Sequence, residues 1–304
     1  MTMTTDTTAS EQGSRRAFLC LSHSPFMTLP GRENDGAEYR AAVDRAREFI
    51  AGFAPDIVVM FAPDHMHLLN DIRPPFTGVL SGRTVQEFDI TEWELSVHPA
   101  AADLFRDLVQ HDVDLAVGED IGVDHGLSLT VRQLFDDPAS APLIPIIVNA
   151  IGFPLFPVRR AATVGERIGA ALAERPERIL FVGTGGLSHN PPFPEPAPGA
   201  KRLSPEQREE SLANALSFVD PDWDRRLIDL LAAGDLDTFA AITQPDIDPR
   251  GGGANEIRTW AAAWAAAGGG PATFTAYETV RPWITGMGVA FGPGRVPATA
   301  GAAA

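Results

Sequence analysis

Five short runs rich in Val, Ile, Leu and Phe constrain this chain more than any other feature: AFLCLS (17–22), DIVVMFA (56–62), DLAVG (114–118), LIPIIVNA (143–150) and RILFVGT (178–184). Such near-continuous apolar runs predict strands buried on both faces, as in a sheet covered by helices. Stretches of helical period lie between them. In the clearest, Tyr39, Val43, Ala46, Ile50 and Phe53 recur at steps of four and three, Arg40, Asp44 and Arg47 point elsewhere, and Pro55 closes the segment. Similar patterns cover 100–110, 159–174, 207–219 and 223–233, and Ile257, Trp260 and Trp264 share a face before a glycine stop. The fold class is therefore α/β, with βα units around an open sheet.

At 304 residues the chain can bury a substantial core in one large domain. PPFPEPAPGAKRLSP (191–205) has too many prolines for a helix or a central strand and is expected to be a long loop. The expected organisation is a disordered polar tail over 1–15, one domain over 16–292 and a frayed tail over 293–304. With 40 acidic against 24 basic residues the net charge is -16, which would repel nucleic-acid phosphates. A single cysteine, Cys20, forms no intrachain disulfide and suits a reducing cytoplasm. No apolar run reaches the roughly 18 residues that span a bilayer, and the first residues are polar where a secretory signal would be apolar. A cytoplasmic protein with neither nucleic acid nor membrane as partner is expected.

Four of the seven histidines follow predicted strands: His23 after 17–22, His65 after 56–62, His125 after 114–118 and His189 after 178–184. In an open α/β sheet the carboxyl edge of the strands is where ligands bind, so the four are expected to face one pocket. FVGTGGLSHN (181–190) lacks both the third glycine of a dinucleotide fingerprint and the Lys of a phosphate loop. Its glycines are instead expected to turn the backbone sharply and bring His189 close to a ligand. His98 precedes Pro99 at a helix start, His111 sits at a solvated helix end, and His67 in DHMH is placed outside the site. Two histidines and a carboxylate form the metal set of non-haem Fe(II) oxygenases. Glu256 is the candidate carboxylate, because glycines 251–253 allow close approach; equally, it could simply complement a helix N-terminus.

LSHSP around His23, FAPDH around His65, VDHG around His125, GGLSH followed by prolines at 185–192, and NEIRTW around Glu256 occur in this order. Together they resemble the class III extradiol ring-cleaving dioxygenases of the LigB type. The resemblance implies a three-layer α/β/α fold with a mixed central sheet, one Fe(II), a catechol and O2 as substrates, and often a homo-oligomer. It also implies His23, His65 and Glu256 as iron ligands. His189 would then take the second phenolic proton and His125 would protonate the departing oxygen when the O–O bond breaks. Asn255 stands where the resemblance places a histidine, and Arg73 and Arg281 are candidates for pairing with a carboxylate on the substrate tail. Two other functions compete. A zinc hydrolase can use two His and a Glu, although no H-E-x-x-H helix is present, and a relative without catalysis could keep the metal ligands while losing His125 and His189.

Overall fold

The computed structural model describes residues 14–69, 71–111, 113–191 and 204–295. The expected tails fall outside these apart from residues 14–15 and 293–295, as does most of the proline-rich loop. The first half contains β1 (Arg16–Leu21), α1 (Ala37–Phe53), β2 (Ile57–Pro63), β3 (Phe76–Val79), β4 (Gly82–Thr84), α2 (Ala100–Gln110), β5 (Ala116–Gly118), β6 (Ile121–Val123), α3 (His125–Leu134) and β7 (Leu143–Val148). The second half contains α4 (Val158–Ala171), β8 (Ile179–Thr184), α5 (Pro205–Leu216), α6 (Pro221–Ala233), α7 (Leu236–Ala240), α8 (Gln244–Ile247), α9 (Ile257–Ala266), β9 (Phe274–Val280) and β10 (Thr285–Pro293).

Eight strands form one sheet in the order β5-β3-β7-β2-β8-β1-β10-β9. The central four, β7, β2, β8 and β1, run parallel, whereas β3 is antiparallel to β7 and β10 to β1, so the sheet is mixed. Side chains alternate between its faces. Phe18, Cys20, Val59 and Phe61 pack under α2, α4, α6 and α9, while Leu19, Leu21, Val58, Met60 and Ala62 pack under α1 and α3. Both faces are thereby covered, giving the three-layer α/β/α arrangement and explaining why the central strands read as continuous apolar runs.

The strand that precedes His125 is not the one its sequence position suggests. DLAVG supplies β5, the outermost strand of the sheet, far in strand order from β1, β2 and β8. His125 does not come off it. A further strand, β6, pairs with β4 in a separate two-stranded sheet, and His125 is the first residue of α3. It reaches the other histidines because α3 packs against β2 and β8.

Candidate active site

The carboxyl ends of β1, β2 and β8, the start of α3 and the start of α9 converge. His23 follows β1 through Ser22, whose N–H donates to Gly288 O (2.9 Å) and whose Oγ accepts from Gly288 N (3.0 Å). The loop is thus stitched to β10. Nδ1 of His23 is bonded to Thr184 Oγ1 at 2.9 Å, which leaves Nε2 free. After β2, the Asp64 carboxylate accepts from the N–H groups of His67 (3.0 Å), Leu68 (2.8 Å) and Leu69 (2.9 Å), closing the turn that carries His65.

Asp124 joins His65 to α3. Its Oδ1 caps the helix by accepting from Gly126 N at 2.8 Å. The same carboxylate accepts from the His65 main-chain N–H and lies 3.4 Å from His65 Nδ1. The His65 and His125 rings stack with centroids 4.0 Å apart, and His23 meets each of them edge-on at 5.5 and 5.7 Å. Ligand atoms of His23, His65 and His125 all lie within 4.8 Å of one another.

Glu256 ends the 3-10 turn Gly252–Glu256 that leads into α9 and is only 1% exposed. Its Oε2 accepts from Gly186 N at 2.7 Å. The glycine-rich loop therefore does bind an anion with its backbone, but the anion is this chain's own carboxylate. Gly185 adopts φ +117 beside it, and a Cβ there would lie 2.4 Å from Oε2, so only glycine fits. The other oxygen, Oε1, has no hydrogen-bond partner among the described residues. It lies 3.3 Å from His65 Nε2 and 3.9 Å from His189 Nε2. Nδ1 of His189 is 3.0 Å from Leu187 O, a group that can only accept, so the ring hydrogen sits on Nδ1 and Nε2 is left free.

Burial drives the pKa of His23 down to about 3, so this imidazole is neutral and able to ligate. Burial alone would raise Glu256, but His65, His189 and His23 hold it at about 2. Burial also opposes a charged His65; Asp124 and Glu256 override it and hold His65 well above its ordinary value. A buried carboxylate is stable only if paired or bound to a cation, and among the described residues the ion-pair partners of Glu256 are imidazoles alone. The ligand atoms of His23, His65 and His125, with the unpartnered Glu256 Oε1 3.3 Å from His65 Nε2, form a donor set that a divalent metal fits.

The remaining histidines lie elsewhere. His98 Nδ1 accepts from Ala100 N at the start of α2, His111 ends that helix with an exposed ring, and His67 is exposed beyond His65. Asn255 points away from the cluster: its Oδ1 accepts from Gln244 Nε2 and Arg258 Nη1, both at 2.9 Å, and its Nδ2 donates to Gly252 O. Arg73 donates to the carbonyls of Leu69 and Phe153, and Arg281 is exposed.

The supporting carboxylates leave little signal in the sequence. Asp124 was visible only as the letter before His125, where an N-cap Asp is a usable signal. Asp224, on α6, had none. Fully buried, it accepts from Ser188 N (2.9 Å), Ser188 Oγ (2.7 Å) and Tyr277 OH (2.8 Å), fixing the residue before His189. Burial raises its pKa from 3.8 to about 6 despite those bonds. The folded chain therefore holds this proton over a range where the unfolded chain has lost it, and stability falls as pH rises from about 4 to about 6. The full effect is roughly 3 kcal/mol. Urea unfolding of Asp224→Asn and the parent at pH 5 and pH 7 checks this: the variant should gain on the parent at the higher pH, and a difference independent of pH would contradict it.

Residues 17–292 match the family model described as the catalytic LigB subunit of aromatic ring-opening dioxygenase. The chain is similar to proteins named 2,3-dihydroxyphenylpropionate/2,3-dihydroxicinnamic acid 1,2-dioxygenase. One from Rhodococcus sp is 36% identical, covering 90% of this chain and 96% of the relative. Those from Rhodococcus jostii and Mycolicibacterium vanbaalenii are 35% and 37% identical, covering 90% and 83% of this chain and 96% and 89% of the relatives. With the family model spanning nearly all the described residues and the five histidine and glutamate motifs in place, the chain belongs to the LigB family and is a ring-cleaving extradiol dioxygenase with a catalytic metal.

Proposed function

We propose that this chain opens a catechol beside its two hydroxyls, using one Fe(II) held by His23, His65 and Glu256, with His189 as base and His125 as acid. The observation that carries the reading is the buried Glu256 Oε1, an anionic atom without a hydrogen-bond partner among the described residues, facing the Nε2 of His65 and of His189. Ferrous iron held by these residues would supply Lewis acidity toward the catechol hydroxyls and a route for electrons from the ring to O2. The protein supplies the rest. His189, with Nδ1 committed to Leu187 O, presents Nε2 to take the phenolic proton, and His125 delivers the proton that the departing oxygen requires. Burial of His23, His125 and Glu256 keeps bulk water from competing for those protons.

The names of the relatives support a substrate with a three-carbon acid tail, such as 2,3-dihydroxyphenylpropionate. Asn255 is committed to Gln244, Arg258 and Gly252, so it is not turned toward a substrate at the cluster. The reading also takes residues 16–292 as one catalytic domain, working as a homo-oligomer in the cytoplasm; no helix among the described residues is long and apolar enough to cross a membrane.

Oxygen uptake by anaerobically iron-loaded protein, given catechols with propionate, carboxylate, aminoethyl or no tail, tests this. Uptake with formation of a yellow product, fastest with the propionate, is expected. Loading with zinc should give none. An iron-loaded protein that consumes no O2 with any catechol would contradict the reading.

A further inference from the structure

We propose that the turn Glu87–Ile90 is a positioning device for His125, and that Glu87 selects the tautomer of its imidazole. The inference rests on the acid role given to His125 above. Glu87 Oε1 accepts from the His125 main-chain N–H and lies 3.0 Å from His125 Nδ1. A carboxylate oxygen only accepts, so the hydrogen at this contact belongs to Nδ1. Whatever the charge of the ring, Nδ1 keeps its hydrogen and proton exchange is confined to Nε2.

The turn brings a second side chain to the same ring. Ile90 N donates to Glu87 O at 2.8 Å, and Phe88, next in the turn, has φ +49, an uncommon conformation for a bulky residue. In an extended chain Glu87 and Phe88 would point to opposite sides. Here the Phe88 ring meets His125 edge-on, with centroids 5.1 Å apart, and yet stays 57% exposed. With His65 stacked on the imidazole at 4.0 Å, three groups fix its plane. Arg132, two turns along α3, reaches back to Asp89 at 3.4 Å, so the turn is tied to the helix at both places.

The test uses the full chain as parent, Glu87→Ala and Glu87→Gln. Iron-loaded samples are assayed for oxygen uptake with a catechol; zinc-loaded, 15N-histidine-labelled samples report the tautomer by NMR. Glu87→Ala should lower kcat by about 10–100-fold, with KM for the catechol and iron content unchanged. Glu87→Gln, whose amide oxygen accepts the same hydrogen, should restore most of the turnover. The spectra should show His125 with hydrogen on Nδ1 in the parent and the Gln variant, and a mixture in the Ala variant. Parental kcat in Glu87→Ala, a Gln variant no better than Ala, or an unchanged tautomer in Glu87→Ala would each overturn the proposal. If the parent itself takes up no oxygen, the ring-cleavage reading fails, while the spectra still decide the assignment of Glu87.

Discussion

Alanine at His189 should lower turnover by about 10²–10⁴-fold while one iron per chain remains bound. The free Nε2 of His189 faces the cluster from the loop after β8 and lies 3.9 Å from Glu256 Oε1, beside the ligands. Removing the ring takes away a base without taking away a metal ligand. His125→Ala should produce a loss of similar size by removing the acid. Saturating oxygen-uptake assays on protein of measured iron content check both, and full turnover in either variant would remove that residue from the mechanism.

Gly253→Ala should do nearly as much damage without altering an ionisable group. A Cβ at this position would sit 2.0 Å from His189 Nε2 and 2.1 Å from Cε1, inside the ring's own volume. Gly253 N also donates to His189 O at 3.1 Å, so the backbone holds the two residues together and the ring has to give way. Swinging it out breaks the contact between Nδ1 and Leu187 O and removes Nε2 from the cluster. Because alanine suits the helical turn 252–256, the variant should fold, with kcat reduced by at least about 10²-fold and iron retained. Circular dichroism with oxygen uptake separates this from unfolding; a folded variant with parental kcat would show that His189 does not act from this position.

The sheet centre was legible because its strands are buried on both faces and read as unbroken apolar runs. Strands that depart from this condition were not. β10 is interrupted by Gly286, Gly288 and Gly292, which weaken any strand expectation, and β9 is an edge strand whose residues are mostly half-buried. The histidines were legible one motif at a time, and His23, His65 and His189 emerge from the strands to which they were assigned. The sequence ties His125 to β5 only because β6 is three residues long and the helix after it begins at the histidine itself. Glu256 was evenly balanced between ligand and helix-end roles; burial and the unpartnered Oε1 favour the ligand. Glu87 and Asp224 could not be found from sequence, since they are 38 and 36 residues from the groups they hold, with no local pattern linking them.

Two donor sets share His23 and His65: one completed by Glu256, the other by His125, whose ligand atoms cluster more tightly with the pair. Anaerobic ferrous titration of Glu256→Ala and His125→Ala, with iron counted after desalting, separates them. Glu256→Ala should lose stoichiometric iron and His125→Ala should keep one iron per chain. Iron held by Glu256→Ala and lost from His125→Ala would contradict the assignment of Glu256 as the third ligand.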